Sequence, residues 1–164
     1  MLGNHDYYTR DVETVARHVN DCGVRLLVND QVAIEKNGER IYLIGIDDVG
    51  SNARAGILFD QSLVGVPQTT AKIMMCHRPY FFQAAADRNI DLLLSGHTHG
   101  GQVVFMKNGN DVISPARIAS PYISGLYTIG ESKMYVSRGL GTVGIPVRIN
   151  CPPEITKLVL TRGA

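Results

Sequence analysis

The chain has 164 residues, of which 45% are hydrophobic and 19% are charged, and its formal net charge at pH 7 is +1. This length and apolar content suit one folded domain with its own core. The nearly balanced charge, without clustered Lys and Arg, argues against a nucleic-acid-binding surface, and no segment reaches the roughly 18 apolar residues of a membrane span.

The first elements predicted along the chain are a helix and a β-hairpin. Apolar side chains recur at helical spacing within residues 9–22, where Thr9 can cap the start and Gly23 can end the helix. Two apolar segments then flank Asn37-Gly38, a pair that type I′ turns prefer. The sequence therefore predicts a hairpin centred on this pair.

Two short, uninterrupted apolar runs follow in the middle of the chain. Residues 73–76 lead into His77, and residues 92–94 lead into Gly96-His97. Such runs, bounded by turn residues, are typical of strands buried on both faces of a sheet. A helix is predicted between them, over residues 80–88.

The last third of the sequence is predicted to be mainly β-structure. Short apolar segments bracket Asn108-Gly109 and Gly130-Glu131, and residues 155–160 alternate as a strand does. There are no repeats and no obvious linkers. We therefore interpret residues 1–164 as a single α/β domain.

Three polar clusters are candidates for a shared site. They are Asn4-His5-Asp6, His77 and His97-Thr98-His99. The last two begin where an apolar run stops, and the first follows Met1-Leu2, which could be the end of another strand. Loops at the carboxyl ends of strands in an α/β sheet lie along one edge, where ligands bind. Imidazole nitrogens and an Asn oxygen suit Zn, Mn or Fe, and the glycines around the two neighbouring histidines allow their rings to turn toward two ions.

Each of these residues also has a simpler explanation. A lone His77 is more often structural or exposed, a His-x-His pair is weak evidence, and an Asn-His-Asp triplet can be a turn. Their joint occurrence at predicted strand ends favours a metal site. His18 is interpreted as a solvated helix residue, whereas Asp47-Asp48 could form a turn or add carboxylate ligands.

Several segments resemble the calcineurin-like metallophosphoesterases. GNHD at 3–6, the single His77 and GHTH at 96–99 are similar to three of the five signature motifs of that family. LGNHDYY at 2–8, GHTHGGQ at 96–102 and YVSRGLGTVGIPVRINCPPEITKLVL at 135–160 resemble its bacterial YkuE/YaeI-type, phosphodiesterase-like branch. The resemblance covers essentially the whole chain and implies a four-layer α/β/β/α sandwich of two mixed sheets flanked by helices.

The resemblance also implies a binuclear metal centre. Asn4, His77 and His97 would bind one divalent ion and His99 a second, with Mn, Fe or Zn as the expected metals. The implied reaction is hydrolysis of phosphomonoesters or phosphodiesters, by in-line attack of a metal-bound hydroxide.

Other residues receive catalytic or binding roles from the same resemblance. His5, supported by Asp6, would stabilise the transition state or protonate the leaving oxygen. Apart from the resemblance, the C-terminal segment carries Arg138 and Arg148, which could recognise a phosphate or an acidic head group or equally serve as structural salt-bridge partners. The expected substrate is a small-molecule, lipid or cell-wall phosphoester.

Two family motifs, D-x-H and G-D-x-x-D, do not occur in the sequence. We therefore expect a C-terminal portion of the domain that lacks the N-terminal βαβ segment and presents unpaired sheet edges. By itself it is expected to be marginally stable, to bind at most one ion weakly, and to be inactive or impaired. Any signal or anchor would precede Met1, and the expected location is cytoplasmic or membrane-associated.

Two functions from other classes remain open at this stage. The chain could be a non-catalytic remnant of the fold that binds a metal, a ligand or a partner, although retention of all five Asn and His candidates argues against this. It could also be a structural zinc protein, but its three cysteines lie far apart and form no ligand cluster. The oligomeric state and the preference for monoesters or diesters stay open.

Overall fold

The structure, a computed structural model, describes residues 1–9, 11–48 and 50–161. Its main feature is a six-stranded mixed sheet with the strand order β1-β2-β3-β4-β8-β7, accompanied by a separate two-stranded hairpin, β5-β6. The strands are β1 Asp30–Lys36, β2 Glu39–Gly45, β3 Ala71–Met75, β4 Leu92–Ser95, β5 Met106–Asn108, β6 Asp111–Ile113, β7 Gly125–Ile129 and β8 Ser132–Val136. The helices are α1 Val12–Asp21, α2 Asn52–Ser62 and α3 Phe82–Ala86. The predicted α/β class is confirmed.

The four central strands run parallel to one another. β2 pairs with β3, β3 with β4 and β4 with β8, all in parallel, whereas β1 and β7 are added antiparallel at the two outer edges. The apolar runs that predicted buried strands form β3 and β4, with Met74 and Leu93 fully buried. Parallel pairing brings the carboxyl ends of β2, β3, β4 and β8 to the same edge of the sheet.

The predicted hairpin is present, and its turn has the expected backbone. Lys36 pairs with Glu39, and the two residues between them, Asn37 and Gly38, have φ values of 52° and 79°. Positive φ at both central positions is what a type I′ turn requires, and it matches the right-handed twist of the strands.

The core lies between the sheet and the two later helices. α3 contacts both α2 and β8. The fully buried side chains there include Phe59 of α2, Phe82 of α3, Ile44 of β2 and Met134 of β8. Burying a side chain of this size stabilises the fold by about 1.5–3 kcal/mol, so this cluster holds the parallel strands in register.

Several predicted boundaries differ from the structure. α1 begins at Val12 and not at residue 9, because the Asp11 carboxylate, not Thr9, caps it by accepting from the Thr14 N–H at 2.9 Å; residue 10 lies outside the described residues. The predicted helix over 80–88 is a 3₁₀ turn, Pro79–Phe81, followed by the short α3.

The strand predicted over residues 155–160 is not formed. Residues 151–161 have no assigned strand, and Ile155 and Val159 are 84% and 72% exposed. An alternating pattern becomes a strand only where a neighbouring strand offers hydrogen bonds, and here the segment pairs with none.

Candidate metal centre

The predicted site residues are placed by loops at the carboxyl edge of the parallel sheet. His77 lies two residues beyond β3, and His97 lies two residues beyond β4. Asn4 is part of a tight N-terminal turn, in which the Asp6 N–H donates to Gly3 O at 3.0 Å and the Gly3 N–H donates to the Asp6 carboxylate at 2.7 Å. This turn brings Asn4 against the two imidazoles.

Three potential ligand atoms converge at this edge. Asn4 Oδ1 is 2.8 Å from His77 Nε2 and 3.1 Å from His97 Nδ1, and the two imidazole nitrogens are 3.2 Å apart. Asn4 is buried, with 7% of its surface exposed, whereas His77 and His97 are half-buried. The Asn4 amide nitrogen points the other way, toward the Tyr8 hydroxyl at 3.4 Å, which leaves the carbonyl oxygen facing the imidazoles.

The spacing of these three atoms suits a metal ion. Donors bound at about 2.1 Å and at right angles to one another lie about 3.0 Å apart, as in an octahedral site. The observed separations of 2.8, 3.1 and 3.2 Å match one face of such a site. Residues 1–9, 11–48 and 50–161 contain no group of three His, Cys, Asp or Glu side chains that could hold a metal ion, because here the third donor is an amide.

The environment of the two imidazoles keeps them uncharged at neutral pH. Burial, and then the neighbouring His97 ring, lower the pKa of His77 to about 4. Burial, and then the Arg78 guanidinium, lower the pKa of His97. Neutral imidazole is the form that binds metals, so both rings have the protonation state that a metal ligand requires.

The loop that carries His97 and His99 has an unusual backbone. Both histidines have positive φ, 68° and 50°, as do Gly100, Gly101 and Gln102. The left-handed region is unfavourable for residues with a Cβ, and such strain tends to occur at functional sites. The two rings have different neighbours: His97 Nδ1 lies 3.1 Å from Asn4 Oδ1, whereas His99 Nδ1 lies 3.1 Å from Gly141 O.

Two clefts open beside the cluster, and both are lined by His77 and His99. One, of about 460 Å³, also includes His5 and Asp6, and the other, of about 380 Å³, includes His97 and Arg138. His5 is exposed at the first cleft, with its ring 5.1 Å from that of Tyr8. The structure thus brings together all six predicted metal and catalytic residues.

The two predicted substrate-binding arginines are held by other parts of the chain. Arg138 forms an ion pair with Glu154, with Nε 2.6 Å from the carboxylate. Arg148 donates to backbone carbonyl oxygens, among them those of Arg138 and His99. The sequence left a structural salt-bridge role open for both arginines. Arg138 forms such a salt bridge, whereas Arg148 is held by backbone carbonyl oxygens and not by a carboxylate.

An ion pair beside His77 was not predicted from the sequence. Arg78 donates two hydrogen bonds of 2.7 Å to the Asp48 carboxylate and one of 2.7 Å to the Tyr80 hydroxyl, and the Tyr80 ring lies 6.1 Å from that of His97. The Asp48 carboxylate is thus occupied by Arg78. The Asp47 carboxylate accepts hydrogen bonds from the Tyr7 hydroxyl and from the Asp48 N–H. The signal was available: both partners follow adjacent parallel strands, β2 and β3.

Several known proteins similar to this chain are named as metallophosphoesterases. The chain matches metallophosphoesterases along almost all of its length, and the predicted family, the calcineurin-like metallophosphoesterases, is confirmed. No protein-family model and no solved structure matches the chain.

Three relatives illustrate the similarity. The chain is 33% identical to a transmembrane protein with metallophosphoesterase domain from Bos taurus, over 98% of the chain and 38% of the relative. It is 33% identical to the uncharacterized metallophosphoesterase YkoQ of Bacillus subtilis, over 95% of the chain and 57% of the relative. It is 30% identical to the phosphodiesterase YaeI of Escherichia coli, over 97% of the chain and 56% of the relative.

The chain therefore spans between about two fifths and somewhat more than half of the length of these relatives. Within the described part of the chain, none of the helices has the length and apolar character needed to cross a membrane.

Proposed function

We propose that this chain is the metal-binding portion of a phosphoester hydrolase. The observation that carries the proposal is the convergence of Asn4 Oδ1, His77 Nε2 and His97 Nδ1 to within 2.8–3.2 Å of one another. The names of the relatives support hydrolysis of phosphoric esters, and the phosphodiesterase YaeI makes a diester the first substrate to test.

In this proposal, Asn4, His77 and His97 hold one divalent ion, and His99 contributes to a second. Imidazole with amide oxygen suits Mn, Fe or Zn. When bound, such ions supply an activated water and positive charge for the developing phosphorane oxygens. Because the described residues offer few ligands beyond this set, we propose that this chain by itself binds at most one ion weakly.

The remaining residues act on the substrate side of the site. His5 is exposed at the cleft that His77 and His99 also line, so its imidazole is accessible to a phosphoester that binds in this cleft. We propose that His5 gives a proton to that oxygen. Asp6 supports this role by bonding to the Gly3 N–H, which fixes the turn that presents His5.

The metal site can be tested by titrating the chain with Mn²⁺ or Zn²⁺ after removal of bound metal with a chelator. His77→Ala and His97→Ala are each expected to weaken binding at least about tenfold, because each removes one donor of three. His18→Ala is the matched control, since His18 is an exposed imidazole of α1 outside the site. Unchanged affinity in both site variants would show that the cluster holds no ion.

Catalysis is tested separately, with bis(p-nitrophenyl) phosphate as the substrate. We expect turnover by the natural protein that contains this chain, and little or none by residues 1–164 alone. Metal binding without turnover by the natural protein would support the alternative, a non-catalytic metal-binding remnant of the fold. Comparable turnover by the isolated chain would contradict the expected impairment.

A further inference from the structure

Arg148 joins the loops around the metal centre through its guanidinium group. Nη1 donates to the carbonyl oxygens of His99 at 3.1 Å and Cys151 at 3.3 Å. Nη2 donates to those of Arg138 at 2.8 Å and Gly139 at 3.2 Å, and Nε donates to Gly141 O at 3.1 Å. All three nitrogens are engaged by the backbone, so the fork has no free face for a phosphate.

Two of these acceptors, Gly141 O and His99 O, connect Arg148 to His99. Gly141 O, which Arg148 holds, also lies 3.1 Å from His99 Nδ1. A carbonyl oxygen only accepts, so this hydrogen bond requires the proton of the neutral ring to be on Nδ1. Nε2 then carries the lone pair, and the side chain lines both clefts of the site.

Arg148 also bonds to the strained backbone of His99. That residue has a φ of 50°, and its carbonyl oxygen accepts from Arg148 Nη1 and from the Cys151 thiol at 3.3 Å. A left-handed conformation of a residue with a Cβ persists only where surrounding contacts fix it. The guanidinium thus holds both the backbone of His99 and the acceptor of its ring.

We propose that Arg148 is a positioning residue that fixes His99 in the Nδ1–H tautomer and keeps Nε2 available as a metal ligand. Metal-binding histidines commonly donate their second nitrogen to a carbonyl, and loss of such a partner lowers metal affinity. The ligand role of His99 rests on the proposed function. The tautomer of His99 and the geometry of its loop do not depend on the proposed function.

The test uses long-range ¹H–¹⁵N spectra of the metal-free chain labelled at histidine, which report the tautomer of each of its five imidazoles. In the unmodified chain, His99 is expected as Nδ1–H. Arg148→Lys keeps the charge but loses the planar fork. We therefore expect the Nε2–H fraction of His99 to rise in that variant.

Arg88→Lys is the matched control. Arg88 is also a multiply bonded guanidinium, joined to Asp60 and to the carbonyl oxygens of Ala84 and Gly56, on the α2–α3 side of the molecule. The Arg88→Lys variant is expected to have a lower thermal midpoint of unfolding, because it loses bonds of the guanidinium group, and an unchanged His99 tautomer. If Arg148 had only a structural role, Arg148→Lys and Arg88→Lys would have the same effect on the His99 tautomer.

An Nε2–H tautomer in the unmodified chain overturns the proposal, and this result does not depend on the folding of any variant. An unchanged tautomer in folded Arg148→Lys, or the same change in Arg88→Lys, also overturns it. In the natural protein, Arg148→Lys is expected to weaken binding of the ion held by His99 about 10- to 100-fold. If the tautomer changes as expected but metal affinity does not, Arg148 positions His99 and the proposed ligand role of His99 is wrong.

Discussion

Replacing Gly3 by alanine should separate metal binding from folding. A Cβ at this position would lie 2.9 Å from Cε1 and Nδ1 of His77 and 3.0 Å from its Nε2, whereas ordinary contacts begin near 3.4 Å. The imidazole must therefore move by about 0.5 Å or rotate away. Metal–ligand distances tolerate deviations of only about 0.2 Å, so the ring can no longer share an ion with Asn4 and His97.

The expected cost to folding is small because two effects oppose each other. The clash involves the end of a side chain that can rotate, which costs about 1 kcal/mol. Alanine also restricts the unfolded chain, which stabilises the native state by about 0.4–1 kcal/mol where the backbone is compatible; Gly3 does not have a left-handed φ. The net change in unfolding free energy should stay within about 1 kcal/mol, whereas metal affinity should fall at least about tenfold.

Two measurements on the same samples test this prediction: urea unfolding of the metal-free chain and titration with Mn²⁺ or Zn²⁺. Gly50→Ala is the matched control because a Cβ there meets nothing within 4 Å and its φ is not left-handed. Wild-type metal affinity in Gly3→Ala would refute the reasoning, since it would mean that the position of the His77 ring does not matter. A large loss of stability would refute the claim that the ring can move aside.

Three further predictions follow from other contacts. Asp48→Asn should destabilise the fold by about 3 kcal/mol and lower the thermal midpoint by about 6–12 °C, since Arg78 would stay largely buried without its carboxylate; a shift below 2 °C by calorimetry would contradict this. Burial raises the pKa of Glu154, but bonds from Thr156, Tyr135 and Arg138 outweigh it and lower that pKa to about 2. The carboxylate therefore contributes up to about 3 kcal/mol above pH 4.5, lost as the pH falls to 2, and in urea titrations Glu154→Gln should remove this dependence. In the natural protein, His5→Asn should reduce phosphodiester turnover about 100-fold or more and leave metal content nearly unchanged. Loss of metal in this variant would show that the proposed role of His5 as a proton donor is wrong.

The sheet and the clustering of Asn4, His77 and His97 were predictable because their signals are local and consistent. Uninterrupted apolar runs predicted β3 and β4, and a polar residue at the end of each run predicted where His77 and His97 meet. Parallel pairing then requires that these ends share an edge. The Asn37-Gly38 turn was predictable because its signal is also local. A type I′ turn needs positive φ at its two central positions, and Asn followed by Gly adopts that backbone readily.

Features that depend on distant partners were not predictable. Residues 155–160 have the alternation of a strand, yet pairing is decided by whether another segment presents its backbone there. The Asp48–Arg78 ion pair joins residues 30 positions apart, so it could be expected only once β2 and β3 were known to be parallel neighbours. The choice of Asp11 over Thr9 as the cap of α1 is a competition between two good cap residues, which sequence alone does not decide.

The segment from 137 to 151 shows why the site cannot be understood from its ligands alone. His97 and His99 both adopt left-handed backbone, at a cost of about 1–3 kcal/mol each, although glycines stand beside them in the sequence. The loop is fixed from outside. The Gln102 amide donates to the carbonyl oxygens of Val143 and Ile145 and accepts from the Val143 N–H, and Arg148 and the Cys151 thiol donate to His99 O. Because this support comes from about 40–50 residues further along the chain, a change in that segment should disturb the metal centre without touching any ligand.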